Sequence, residues 1–395
     1  MRILYLVFYY FPRASAATWS TFALTERLAG NHEVHLVFPN VSYPISLSAE
    51  ESARALSGSR VIHHRTPRFR IPEGPAQTIA PLFLFFEGLK VGRGCDAVVC
   101  QFQPHHFVFL AGIAVAKLLG LPVVARANDV YREMGEKLSP LQRLNLIRRR
   151  MYNAINERFV KWADAFLVVC SENKDILTSR VGSLPNIYIN HNGVDPDEFQ
   201  NLDRGAARKS LGVEEGQRMI LFTGRFSGEE YRLDVLLEAY AVVKKEHQET
   251  LLYLVGDGLP KVLEEEASRL GVKVVGHVPR RRIAEFLAAS DICIGPLGRT
   301  QAIPLKILEY MVAGRPIVTG RGSVSTELAV DGENCLTPAM EPRALADAII
   351  RLLEDDELRK RMVLNASKTV KGFYWDRIAS ELEERVLEAV KERRR

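Results

Sequence analysis

Apolar positions along this chain fall into short β-prone runs that alternate with segments of helical period. Ile3–Tyr10 (ILYLVFYY) is such a run, TFALTERLAG repeats its apolar residues at helical spacing, and HEVHLVFP is β-prone again, so the chain opens as a βαβ unit. Further strands are predicted at Asp96–Cys100, Leu121–Ala125 and Ala165–Ser171, with a helix over Val108–Leu119. The pattern then restarts. Strands are predicted at Met219–Thr223, Leu251–Val255, Val272–Val275, Ile292–Gly295 and Ile317–Thr319, with an amphipathic helix over Val235–Val243. This alternation predicts an α/β chain with parallel sheets covered by helices on both faces. Between the halves, Asn192–Phe199 (NGVDPDEF) is rich in turn residues and continues neither pattern. Two doubly wound, Rossmann-like domains follow, residues 1–195 and 196–372, then a last segment, 373–395. Such sheets bind ligands beyond the carboxyl ends of their strands, which places the expected site in a cleft between the domains.

Composition narrows the class. The 395 residues are 47% hydrophobic and 26% charged, ordinary for a globular protein with room for two or three cores. A net charge of +5 gives no ground for a nucleic-acid partner. The five cysteines (Cys95, Cys100, Cys170, Cys293, Cys335) are scattered and odd in number, which argues against a disulfide framework or a structural zinc site and fits reduced thiols in a cytoplasmic protein. Ala14-Ser15-Ala16 after the first apolar run has the form of a signal-peptidase site, but only Arg2 precedes that run and the βαβ pattern continues through it; a first buried strand is the expected reading. No apolar run reaches the roughly 18 residues of a membrane span.

Candidate chemistry concentrates in Gln301–Gly320 (QAIPLKILEYMVAGRPIVTG). The stretch predicts a short helix opened by Pro304, apolar on one face through Leu305, Leu308, Met311 and Val312, stopped at Gly314 and followed by a strand. Lys306 and Glu309 lie one turn apart near the helix N-terminus, where free N–H groups and partial positive charge suit a phosphate. An ordinary surface Lys–Glu pair is the competing reading. Gly224-Arg225 follows a predicted strand directly, so Arg225 emerges at its carboxyl end, where a guanidinium can clamp a diphosphate or simply sit in a surface loop. Gly256-Asp257-Gly258 likewise joins a strand to a helix and lacks the G-x-G-x-x-G of dinucleotide dehydrogenases.

Taken in order, these strings resemble the GT4-type retaining glycosyltransferases (glycosyl transferases group 1), which have the GT-B fold. Glu309 matches the second Glu of the family's Glu-x7-Glu signature, which runs into an EYMA-G-PVV string; the first falls on Gln301, a departure. GRFSGEEYRLDVLLEA resembles the family's Gly-Arg-Leu…Lys…G-x-D-x-LL region, but its Lys position falls on Tyr231, leaving Arg232 as the nearest second cation for the diphosphate. VGDGLP resembles V-G-x-G-P, Gly276-His277-Val278-Pro279 the G-x-V-P turn whose backbone faces the nucleotide base, and Ala289–Ile292 the AD-hydrophobic string after it. Trp162–Ala165 with Cys170–Glu172 resembles AD…VVxxS, NGVDPDEF the NGVD-x-x-x-F linker, and FYWDRI (373–378) the opening of a last helix that crosses back to the first domain.

The resemblance implies transfer of a sugar, with retention, from a nucleotide-diphosphate sugar (UDP- or GDP-linked) to a glycan or lipid-linked acceptor, with no cofactor or metal. The departing diphosphate oxygen would help take the acceptor's proton, so the protein must supply charge stabilisation and orientation rather than a strong base. It implies a donor site of Gly224, Arg225, Arg232, Gly256, His277, Val278, Pro304, Leu305, Lys306 and Glu309. Glu309 would hold the ribose and Gln301 the donor-sugar hydroxyls. The acceptor side matches less well. Pro12–Ala17 stands where the family often has Gly-Gly, making Ser15 and Ala16 candidates there, and Asn128-Asp129 stands where the family has His-Asp or Arg-Asp. Asn128 hydrogen-bonds but cannot act as a base. His105 and His106 follow a predicted strand and are candidates for the same site or for a loop or capping role.

Gln301, Asn128 and the missing Lys leave two other readings open: a catalytically impaired member that binds nucleotide sugar without turnover, and a sugar-nucleotide epimerase. Finally, Arg143–Lys161 carries six basic residues and one acid, with Leu144, Ile147, Met151, Ile155 and Phe159 at helical spacing. Such a helix either packs on its own domain with a solvated basic face or lies peripherally on an anionic membrane.

Overall fold

The structure, a computed structural model, describes residues 1–11, 15–42, 49–104, 106–130, 140–226, 231–298 and 303–395. In chain order the first elements are β1 (Arg2–Leu6), α1 (Ala16–Asn31), β2 (Glu33–Ser42), α2 (Ala49–Leu56), β3 (Ile62–Pro72), α3 (Glu73–Gly92), β4 (Ala97–Phe102), α4 (Val108–Leu119), β5 (Val123–Ala127), α5 (Pro140–Arg158), β6 (Ala165–Val168), α6 (Ser171–Val181) and β7 (Ile187–Ile189). Then follow α7 (Arg204–Leu211), β8 (Arg218–Thr223), α8 (Leu233–Glu246), β9 (Thr250–Val255), α9 (Lys261–Arg269), β10 (Lys273–Val275), α10 (Arg280–Ala289), β11 (Ile292–Ile294), α11 (Leu305–Val312), β12 (Ile317–Val318), α12 (Pro342–Glu354), α13 (Asp356–Val370) and α14 (Trp375–Arg393).

The chain divides into two compact units, Met1–Asn192 with Trp375–Arg395, and Gly193–Tyr374. The first holds a seven-stranded sheet of order β3-β2-β1-β4-β5-β6-β7. Every pairing is parallel, with β1 at Ile3↔Val34 and Ile3↔Ala97. The predicted opening run is therefore a central strand, and β4 and β5 are buried along their whole length, as a sheet covered on both faces requires. Leu4, Leu6, Val98 and Phe102 form the core with Leu84 of α3 and Phe109 and Ile113 of α4. Each such side chain contributes about 1.5–3 kcal/mol on burial. The last helix belongs here: α14 packs on α1 and β5, Arg27 pairs with Asp376, and the Asn190 amide donates to the Ile378 carbonyl at 2.9 Å.

The second unit holds a five-stranded parallel sheet of order β10-β9-β8-β11-β12. Ile220, Phe222, Leu252 and Leu254 pack against Leu236 and Leu237 of α8 and Ile349 and Leu353 of α12. Helices of a parallel sheet run back against the strands, so α10, α11 and α12 end at the strand amino edge with carbonyls that have no intrahelical partner. Arginines cap them. Arg208 donates to Ala289 O, Arg315 to Ala313 O and Ser290 O, and Arg359 to Leu353 O. The partly buried Asp291 carboxylate balances part of this charge through Arg204 and Arg208.

Candidate functional site

The donor-side candidates gather at the carboxyl ends of β8 and β9. Backbone bonds continue past the strands: Gly224 N–H donates to Val255 O (2.9 Å), Phe226 N–H to Asp257 O (2.7 Å) and Gly256 N–H to Val275 O (2.8 Å). The His277 N–H donates to the Asp257 carboxylate at 3.0 Å, tying the 276–279 turn to the same edge. Gly224 and Gly256 hold φ of +115° and +146°. A Cβ on Gly256 would lie 1.8 Å from the Gly224 carbonyl oxygen, and one on Gly224 would lie 2.8 Å from Lys306 Nζ. Glycine at these turns thus lets two loop backbones and one ammonium converge.

Helix α11 brings that ammonium in. It starts at Leu305, with Pro304 as the capping residue (φ −70°, ψ 134°), one residue later than Pro304 in the first turn would place it. The Tyr310 hydroxyl, fully buried, accepts from Thr223 N–H (3.0 Å) and lies 2.9 Å from the Thr223 hydroxyl, which pins α11 to the end of β8. Burial first, then the nearby Cys293, pushes this phenol well above its ordinary pKa, so it stays a neutral hydrogen-bonding group. Lys306 Nζ sits 4.3 Å from the centroid of the Phe222 ring and 4.6 Å from that of Tyr231. The rings support the ammonium from the side and leave it against the Gly224 backbone.

Glu309, one turn further, is buried and accepts from Arg280 Nη1 at 2.8 Å. Arg280 Nε donates to Glu198 at 2.6 Å, and the guanidinium lies 5.2 Å over the Phe199 ring. Burial alone would lower the Arg280 pKa, but the Glu309 and Glu198 carboxylates more than offset it and hold the guanidinium charged. Burial raises the Glu198 carboxyl above its usual range although Arg280 opposes the shift. The surface Lys–Glu pair considered for α11 is thus replaced by two separate arrangements, Lys306 with the aromatic rings and Glu309 with Arg280.

The remaining candidates are distributed as follows. Arg225 is exposed just beyond β8, Val278 is buried and His277 is exposed. Arg232, in the left-handed region at φ 43°, forks onto Asp234 at 3.0 and 2.9 Å. In the first unit Ser15 caps α1, its hydroxyl accepting from Thr18 N–H at 3.2 Å, and Ala16 is the first, exposed helical residue. Asn128 Oδ1 accepts from Arg126, whose buried guanidinium also donates to Asn190 Oδ1 (2.9 Å), His191 O (2.9 Å) and Asn192 Oδ1 (3.3 Å). Burial brings the Arg126 pKa down to about 10, still charged at neutral pH. Asp129 is exposed and accepts from Val130 N–H. His106 is fully buried and stacks on Phe8 at 4.8 Å, an aromatic core position rather than a wall of a site. Gln301 and His105 lie outside the described residues. Among the described residues no group of three or more His, Cys, Asp or Glu is placed to hold a metal ion.

Sequence reasoning missed Arg280, Glu198 and the ring pair Phe222–Tyr231. Arg280 opens the run Arg280-Arg281-Arg282, which reads as a solvated basic stretch. The signal was its place directly after the Gly276–Pro279 turn, at the first position of α10.

Residues 17–198 match the family described as Glycosyltransferase Family 4 and residues 217–355 the one described as Glycosyl transferases group 1. The chain belongs to this glycosyltransferase family. A phosphatidyl-myo-inositol mannosyltransferase of Mycobacterium leprae is 30% identical over 194 residues, 48% of this chain and 50% of that protein. An alpha-D-kanosaminyltransferase of Streptomyces kanamyceticus is 24% identical over 71% of this chain and 72% of that protein. The chain spans about half the length of the first of these curated relatives. HepE of Anabaena, solved in complex with UDP, superposes with a TM-score of 0.75 over 98% of this chain and 100% of that one, at 18% identity. The fold of this family member is GT-B, two parallel-sheet α/β domains.

Proposed function

We propose that this chain transfers a glycosyl unit, with retention, from a UDP- or GDP-linked sugar to a glycan or lipid-linked acceptor. The observation that carries the proposal is the Lys306 ammonium held against the Gly224 turn, with the Arg280-held Glu309 one helical turn away. Lys306 and Arg225 bind the diphosphate and stabilise the charge that grows on it as the bond from the sugar's anomeric carbon to phosphate oxygen breaks. The acceptor oxygen bonds to the anomeric carbon on the same face, and its proton passes to the departing phosphate oxygen. Glu309 accepts from the ribose hydroxyls, and Arg280 aims it. Asn128, held by Arg126, hydrogen-bonds substrate without taking its proton. Lys306 takes the place of the Lys expected at Tyr231, since Arg232 is occupied by Asp234. The names of relatives that act on inositol-containing acceptors support a polyol or lipid-linked acceptor.

Calorimetric titration with a panel of UDP- and GDP-sugars tests the donor assignment; no binding by any of them would sink it. Anomeric proton couplings of the product test retention, and an inverted product would overturn that part alone.

A further inference from the structure

Helix α5 is turned inside out. Its inner side is polar: the Tyr152 hydroxyl lies 2.9 Å from that of Thr78 on α3, and Asn156 Nδ2 donates to the carbonyls of Gln103 (3.2 Å) and His106 (3.1 Å). Asn153, also buried, donates to Glu157. Its outer side carries Ile147 and Met151, 62% and 53% exposed. A helix that only closed its domain would place these the other way round. Its neighbour α3 is apolar on both sides. Ala80 and Leu84 face the core, while Ile79, Leu82 and Phe86 form an outward stripe, the latter two 56% and 59% exposed, ending at exposed Lys90. Five of the thirteen large apolar side chains exposed among the described residues thus lie on these two adjoining helices, a concentration that marks an interaction surface.

Charge selects the occupant. From Ile147 to Arg158, α5 carries Arg148, Arg149, Arg150 and Arg158 against Glu157 alone, and Glu157 pairs with Arg180 at 3.1 Å. A second copy meeting this face about a twofold axis would set arginines against arginines. An anionic bilayer has the complementary charge and an apolar interior within reach of leucine, phenylalanine, isoleucine and methionine side chains. We propose that the α3–α5 face docks the protein on an anionic phospholipid surface. The contact is peripheral, since no helix among the described residues is long and apolar enough to cross a membrane. It does not depend on the donor reading.

The full chain is tested by co-sedimentation with vesicles of phosphatidylcholine alone or mixed with phosphatidylglycerol. The expected result is binding to the anionic vesicles only, weakened by salt. Arg149→Glu with Arg150→Glu lowers partitioning about tenfold or more, and Leu82→Ser with Phe86→Ser lowers it independently. Both variants keep the wild-type melting temperature and nucleotide affinity. Failure of the wild type to bind anionic vesicles overturns the proposal. So does undiminished binding by both variants, or light scattering that finds a wild-type dimer made monomeric by Leu82→Ser with Phe86→Ser.

Discussion

Arg280 donates to Glu309 at 2.8 Å and to Glu198 at 2.6 Å, so one guanidinium joins the carboxylate on α11 to the turn that opens the second unit. One Glu309 oxygen is fixed by this bond, which orients the other. Replacing Arg280 by Met should weaken nucleotide binding about tenfold and, with the Arg280 side chain a quarter exposed, cost about 2 kcal/mol of stability. Arg280→Lys keeps the charge without the fork and should fall between. Adding Glu309→Gln to Arg280→Met should recover stability but not affinity, a separation read by calorimetry on the four members of the cycle.

Lys306 and Arg232 compete for the role of second diphosphate cation. Lys306→Met should lower affinity for a nucleoside diphosphate about tenfold or more and leave the nucleoside alone unaffected. Arg232→Met should change neither affinity, because its fork already holds Asp234, whose carboxyl it keeps below the usual range despite partial burial. Equal losses for the two variants would reverse this assignment.

The Gly224–Gly256 contact sets unequal tolerances. Alanine at 256 drives its Cβ into the Gly224 backbone and should cost about 3 kcal/mol. Alanine at 224 meets the movable end of Lys306 and should cost about 1–2 kcal/mol of backbone strain while displacing the ammonium. Urea unfolding ranks the stabilities, and titration with nucleoside diphosphate reads the second effect.

Acid should loosen the first unit. His63, 3.1 Å from the Tyr10 hydroxyl, has its pKa lowered by burial, with the Arg65 and His64 charges adding to the shift and Glu26 opposing it. His64, hydrogen-bonded to His35 at 3.0 Å, is lowered by burial and then by His35, with Glu87 opposing. Both take up protons more readily when unfolded, where the ordinary value is 6.5. Their contribution is therefore present above pH 6.5, is lost as pH falls below it, and stops changing once the folded-state values are passed. Thermal melts across this range should show a shallower slope for His63→Gln with His64→Gln than for the wild type.

Near-continuous apolar runs such as Ala97–Phe102 and Arg218–Thr223 made the sheets legible, because a strand buried on both faces is apolar along most of its length. Residues 67–77 resisted. Pro67, Pro72 and Pro75 suggest a loop, yet Ile62–Pro72 is β3, an edge strand with irregular register, where proline is tolerated. That Gly224 and Lys306 meet, with Glu309 one helical turn away, was readable, because a strand end and a helix start are brought to one edge of the sheet. Arg280 and the outward faces of Ile147 and Met151 were not. Spacing along α5 gives the stripe but not which side packs, and that was decided by Asn156 finding two carbonyls to donate to.

The placement of α14 has a consequence for the order in which the protein forms during synthesis. Trp375, Ile378, Leu382 and Val386 are buried in the first unit, although nearly two hundred residues separate them from the rest of it. All of the second unit leaves the ribosome before they do. The C-terminal sheet can therefore finish packing on a nascent chain whose N-terminal sheet still has its α14 groove uncovered, reversing the usual order in which domains mature.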